Sequence, residues 1–188
     1  MKEEKIKYKH LIKDARKKYE SCLPETKEAI KRIFMAEGRT FAQMWDILKA
    51  IEKKYGISVM EIAHEIRWKQ AYEAGQKAAK NYEKDGLKEL YDAYSAQYEA
   101  ICDVEWFVFN DDRIEKKCRR CPMVEVFREM GRTPEEMKEW APLFCSADAA
   151  FWSGFNPEFE VFSQPRLLMK GDPHCTYVAI HHWEKKES

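Results

Sequence analysis

Ile101-Cys-Asp-Val-Glu-Trp-Phe-Val-Phe109 is the stretch on which the fold of this chain turns. β-Branched and aromatic residues dominate it, the composition of a strand rather than a helix. Asn110-Asp111-Asp112 follows as a turn cluster, and residues 113–117 can pair back as a second strand. Everything upstream, residues 1–98, reads as helix with short breaks. Ile6, Leu11, Ile12, Ala15 and Tyr19 form a first apolar stripe. Pro24 opens a second helix carrying Ile30, Ile33 and Phe34, which Gly38 is expected to break. Thr40 can cap a third helix, with Met44, Trp45, Leu48 and Ile51 inward and Gly56 as its stop. Ser58 and Glu61 have capping-box spacing before a long helix through Ile62, Ile66, Tyr72 and Ala79. Gly75 lies inside that helix, Gly86 follows it, and residues 87–98 read as one more short helix.

Downstream, Cys121-Pro122 starts a helix that Gly131 stops, and Thr133-Pro134-Glu135-Glu136 is a strong start for the next. Pro142 is expected to interrupt that helix, and Gly154 to end the segment after it. Short strands are expected over residues 159–162, 166–169 and 175–183, with a Gly171-Asp172-Pro173 turn before the last. The fold class is therefore α+β: a helical N-terminal half followed by a small antiparallel sheet with packed helices. The expected regions are 1–98, helical, and 99–188, cysteine-containing, packed together as one compact domain.

The totals narrow the function classes. The 188 residues are 45% hydrophobic, 13% aromatic and 35% charged, a globular composition with a highly charged surface. Lys+Arg and Asp+Glu balance at 33 each, so no global field draws the protein to nucleic acid or an anionic membrane. The lysine-rich first twenty residues interleave acids with their bases, the pattern of a solvated helix face. No stretch approaches the ~20 apolar residues of a membrane span, and no signal-peptide core is present. A cytoplasmic location is expected. The apolar stripes of the N-terminal helices offer a surface for a homodimer, although they can equally pack on the other half.

In a reducing compartment, clustered cysteines more often bind metal or do chemistry than form disulfides. Cys118-Arg-Arg-Cys121-Pro is the sharpest local motif, with Cys145 and Cys175 further along. Two cysteines separated by two residues can face one ion. Four thiolates (Cys118, Cys121, Cys145 and Cys175) can saturate a tetrahedral zinc or hold an iron–sulfur cluster. The competing reading is burial: Cys145 lies in an apolar helix and Cys175 starts a strand. Cys22 and Cys102 read as structural. Cys121, at a helix start beside Arg119 and Arg120, is expected to have a lowered thiol pKa.

Four segments in order carry a resemblance: Cys121-Pro-Met-Val-Glu-Val-Phe-Arg-Glu-Met-Gly131, Leu143-Phe-Cys-Ser-Ala-Asp148, Gly154-Phe-Asn-Pro157 and Gly171-Asp-Pro-His-Cys175. Together they resemble the L-2-amino-thiazoline-4-carboxylic acid hydrolase family, best from about residue 100 to 183. The closing Gly-Asp-x-x-Cys strand is also similar to 4-vinyl reductase-type small-molecule-binding domains. Cys118 is an addition to the family's pattern and shifts weight towards a cluster or zinc site. The resemblance implies a small-molecule substrate and hydrolysis of a cyclic amidine-like C–N or C–S bond. Such a reaction needs a group to activate water, a proton donor and a cation for the substrate carboxylate.

Asp148, one helical turn from Cys145, is either a general base or a helix-surface carboxylate. Cys121 and Cys175 are candidate catalytic thiols, and His174 is either an acid–base group or a turn bystander. Asn156 either contacts substrate or closes its helix. Arg120, or Arg119, either holds the carboxylate or is solvated. His181 and His182 point to opposite faces of a strand, so only one of them can reach a given site. The readings left open besides a hydrolase are a cysteine-ligated metal protein and a small-molecule sensory module.

Overall fold

The computed structural model describes residues 6–99, 101–162 and 166–182. Six α-helices and four strands follow one another as α1 (Lys9–Glu20), α2 (Pro24–Tyr55), α3 (Met60–Ala79), α4 (Leu87–Leu90), β1 (Val104–Phe109), β2 (Arg113–Cys118), α5 (Pro122–Glu129), α6 (Pro134–Phe155), β3 (Phe159–Phe162) and β4 (Cys175–His181). The helical stretch after α4 changes pitch, with a π-turn over Tyr91–Ser95 and a 3-10 turn over Ala96–Tyr98. The strands form one antiparallel sheet in the order β1-β2-β4-β3. This is the α+β architecture expected, helices first and a small sheet after.

Several boundaries differ from the sequence reading, each for a tertiary reason. Gly38 does not break α2, which runs 32 residues through it. A Cβ there would meet Met123 Sδ at 2.9 Å and Val126 Cβ at 3.3 Å, so the glycine admits α5 against α2. Thr40 caps nothing, its hydroxyl donating back to the Ala36 carbonyl at 3.1 Å. Ser58 is likewise not a cap. The backbone amides of Val59 and Met60 donate to Glu52 Oε1 instead, at 3.0 and 3.1 Å.

Pro142 does not interrupt α6, which also runs one residue past Gly154. The proline lies on the exposed face, where the carbonyl it frees can meet water, while buried Ala141 and Leu143 hold both flanks in the core. Thr133 forms the full capping box with Glu136. The strand expected at residues 166–169 is absent: Leu168–Lys170 is a 3-10 turn, and Asp172 ties the loop by accepting from the Leu167 amide at 2.8 Å. The last strand ends at His181, and Trp183 lies outside the described residues.

Strand alternation sets the inner face of the sheet. Ile114, Lys116 and Cys118 of β2 share it with Cys175, Tyr177, Ala179 and His181 of β4, through the pairs Lys116–Tyr177 and Cys118–Cys175. Trp106 and Phe109 complete it from β1, which carries a bulge between Trp106 and Val108. Trp152 and Phe155 of α6 and Tyr91 of the π-turn pack with that face in one buried core that also takes in Trp45 of α2. Against the other side of α6 lies α3. Helices α2 and α3 leave Ile33, Ile47, Ile62 and Ile66 exposed. No helix among the described residues is long and apolar enough to cross a membrane.

Candidate active site

The sheet's inner face, α6, the π-turn and the start of α5 meet around Asp148. Its carboxylate accepts hydrogen bonds from the Tyr94 and Tyr177 hydroxyls. Burial raises the Asp148 pKa, opposed by the Tyr94 bond, the Lys116 charge, the Tyr177 bond and the Arg67 charge. Lys116 is only 4% exposed, its ammonium over the rings of Tyr177 (5.1 Å), Trp106 (5.2 Å) and Trp152 (5.6 Å). A carboxylate bonded to the Tyr177 hydroxyl and a buried ammonium over the Tyr177 ring form a charged centre beside an aromatic wall.

Five cysteines come close enough to this centre to influence one another's charge: Cys102, Cys118, Cys121, Cys145 and Cys175. Cys118 and Cys175 are cross-strand partners on the inner face, and the Leu168 amide donates to Cys175 Sγ at 3.3 Å. Cys121 is the N-cap residue of α5, with the backbone amides of Val124 and Met123 facing its sulfur. Those amides favour the thiolate, as a helix start should. Burial outweighs them, and the Cys121 thiol is pushed up rather than down. Burial likewise raises Cys118 to about 11 and Cys175 to about 12, and lifts Cys102 and Cys145 as well. The lowered Cys121 pKa expected from the sequence is therefore corrected: at neutral pH these groups are thiols.

The four-cysteine cage for zinc or an iron–sulfur cluster is not formed either. Among the described residues, no three histidine, cysteine, aspartate or glutamate side chains converge so that they could hold an ion. The cysteines surround the recess from five different elements instead of pointing at one centre.

Three other expected site residues lie elsewhere. Arg120 is exposed and paired with Glu125 through Nε at 2.5 Å and a terminal nitrogen at 2.9 Å, while Arg119 pairs with Glu105. His174 sits before β4 on the side of Lys117, Arg119 and Arg166, away from Cys175. Desolvation and those cations lower its pKa. Asn156 caps α6 at the far end of the sheet. Its amide donates to the Asp85 carbonyl at 3.2 Å, and its oxygen accepts from the Glu158 amide at 2.8 Å. It closes the helix. His181 is buried beside Asn156 while His182 is exposed against Glu160, opposite faces as expected.

Tyr94, Tyr177, Lys116 and Arg67 were not singled out from the sequence. Two of them carried a usable signal. Lys116 alternates with Ile114 and Cys118, and Tyr177 is two residues beyond Cys175, so period-two parity already places both on the inner face. Tyr94 sits in a π-turn and Arg67 on a weakly amphipathic helix, where no pattern marks them.

The family model described as L-2-amino-thiazoline-4-carboxylic acid hydrolase matches residues 38–178. The chain belongs to this family. The matched range includes Cys118, Cys121, Cys145, Asp148 and Cys175, together with α3 and most of α2. No curated protein matches this hydrolase-family chain. A solved structure that aligns with it is the trafficking protein particle complex subunit 3 from Naegleria fowleri covalently bound to palmitic acid. It is 12% identical, covers 86% of this chain and 99% of its own, and has a TM-score of 0.41. The 4-vinyl reductase resemblance of the closing strand is not confirmed by these matches.

One property of the site sets it apart from ordinary core. Asp148, Tyr94, Tyr177, Cys121 and Cys145 are all dominated by burial in their titration, yet each keeps part of its surface accessible. We read these deep but still partly open groups as the lining of a recess around Asp148. A separate groove lies between α1 and β1, where Glu99 is held by Arg16 at 2.9 Å and by Trp106 Nε1 at 2.8 Å. Glu99 is already paired, and of the residues around the Asp148 centre the groove shares only Trp106.

Proposed function

We propose that this protein is a hydrolase that opens a small cyclic substrate of the aminothiazoline carboxylate type, with Asp148 as the base. What carries the reading is the recess: a carboxylate held by two tyrosine hydroxyls, faced by a buried ammonium and walled by aromatic rings and thiols. Family membership supports hydrolysis as the reaction class.

In the step proposed, a water molecule gives one proton to Asp148 as its oxygen bonds to the ring carbon between nitrogen and sulfur, the C=N π pair moves to nitrogen, and the remaining hydroxyl proton passes to that nitrogen as the carbonyl forms. The carbon–sulfur bond then breaks, the electron pair goes to sulfur, and the proton held by Asp148 follows it. The net change is one water added and one thiol formed, with Asp148 returned to its starting state. A carboxylate whose pKa is raised by burial is a stronger base than an ordinary one, which suits this transfer. Lys116 and the two tyrosines keep a share of it ionised against the pull of burial. Cys121 and Cys145, protonated and partly accessible, form the soft wall beside the substrate sulfur. Cys175 lies behind them in the sheet.

The direct test is incubation with L-2-amino-thiazoline-4-carboxylate and related rings, following new thiol and a mass gain of one water. Turnover by the wild type that collapses in Asp148→Asn supports the reading. No turnover across the panel, with the protein folded, ends it.

A further inference from the structure

Arg120 and Arg119, the sequence's candidates for the substrate carboxylate, are instead occupied by Glu125 and Glu105 on the surface. Another cation reaches the recess. Arg67 projects from α3 with its guanidinium 4.4 Å from the ring centre of Phe41 and 5.3 Å from that of Phe144. Its Nε is buried and makes no hydrogen bond among the described residues. Arg16, Arg119, Arg120 and Arg132 are each tied to a carboxylate, whereas Arg67 has no ion-pair partner among the described residues.

The groups that act on it come from three elements: Asp148 and Cys145 of α6, Tyr94 of the π-turn, and the exposed Glu37 of α2. Burial disfavours its charge and these neighbours only partly restore it. Stacking on two rings fixes the plane of the fork while leaving the N–H edge without a carboxylate to meet. A guanidinium desolvated at this cost, near Asp148 but with no carboxylate in ion-pair contact among the described residues, is arranged for an anion from outside. Its planar fork fits a carboxylate in bidentate fashion.

We propose that Arg67 is the carboxylate anchor of the site, selecting ring substrates that bear a carboxylate and placing their reacting carbon at Asp148. This rests on the hydrolase reading and supplies its missing cation. Arg67 acts on binding and orientation, so its effect is read as selectivity.

The test compares two ring substrates, 2-amino-thiazoline with and without the 4-carboxylate, on wild type, Arg67→Met and Arg67→Lys. The ratio of their kcat/KM values is expected to fall on the order of 100-fold in Arg67→Met, mainly through KM for the carboxylate, because a fork–carboxylate pair out of water is lost. Arg67→Lys keeps the charge and the stem without the fork, and its ratio is expected to fall about tenfold. An unchanged ratio in both variants, or equal losses on the two substrates, overturns the assignment.

A binding arm separates this from the hydrolysis itself. Thiazolidine-4-carboxylate lacks the amidine carbon and cannot follow the proposed reaction, so its calorimetric binding reads the anchor alone, with uncharged thiazolidine as control. Arg67-dependent binding without any ring opening by the wild type retains the anchor and removes the hydrolase. Ring opening with carboxylate binding indifferent to Arg67 does the reverse. Circular dichroism on Arg67→Lys checks that loss of binding is not loss of fold.

Discussion

Asp148 concentrates the conflict between folding and chemistry at the scale of a single residue. Burial raises its pKa above 3.8 even with Lys116, Arg67 and two tyrosines pulling the other way. For an acid the sign follows directly: between its unfolded and folded pKa values the native state binds more protons. Stability is therefore full below the ordinary carboxylate value and is lost as pH rises through the raised one. Asp148→Asn keeps an acceptor for Tyr94 and Tyr177 without the charge. It should melt above the wild type at neutral pH, the gap closing below pH 3.8, while ring-opening turnover falls at least about 100-fold. Thermal melts across pH together with a turnover assay check both halves, and a variant that is both active and less stable contradicts the role. Tyr94→Phe removes a donor to the charged form. The acid limb of the pH–rate profile should then move to higher pH, because the carboxylate has lost a group that held its pKa down.

At the scale of elements, the site depends on how closely α3 lies along α6, since this brings Arg67 to Asp148. A Cβ on Gly75 would sit 2.1 Å from the Phe151 carbonyl oxygen, and one on Gly154 would sit 2.0 Å from the Tyr72 carbonyl oxygen. Both obstacles are backbone, so alanine at either position must push the helices apart. Each substitution should cost about 3 kcal/mol, seen as a fall in Tm of roughly 6–12 °C. Gly38→Ala meets first the sulfur of a flexible methionine, and the gain in helix propensity of about 1 kcal/mol offsets much of that contact. Its Tm should stay near the wild type's, so the contrast separates close approach from helix breaking. The same glycines explain where the sequence was legible. Alternation in β2 and β4, the Thr133 box and the Gly131 stop are local signals, and they placed the sheet and the helix starts. Gly38, Gly154 and Pro142 read locally as breaks because their cause is a facing helix or a buried flank, which no local pattern records. The site followed the same rule. Cys121, Cys145, Asp148 and Cys175 lie on segments that the motifs mark, whereas Arg67 and Tyr94 reach the same neighbourhood only through packing.

On the scale of the whole molecule, five of the six cysteines report on one assembly event. Cys102 precedes β1, Cys118 ends β2, Cys121 caps α5, Cys145 lies in α6 and Cys175 begins β4. They come from five different segments, so bringing them together requires the complete α+β half. Each has its pKa raised by burial, which keeps it in the less nucleophilic thiol form at neutral pH. Cys22 stands apart on the α1–α2 link, its sulfur donating to the Lys18 carbonyl at 3.3 Å. A chromogenic disulfide reagent at pH 7.5 should therefore release one equivalent rapidly and five slowly, and all six at once in denaturant. Cys22→Ser should remove the rapid equivalent alone. Because the slow thiols titrate high, with Cys118 near 11 and Cys175 near 12, their rate should keep rising with pH beyond 9 rather than levelling off there. Five rapid equivalents in the native protein would mean that the thiols are open to solvent, and the recess around Asp148 would then lack the low-dielectric wall on which its raised pKa depends.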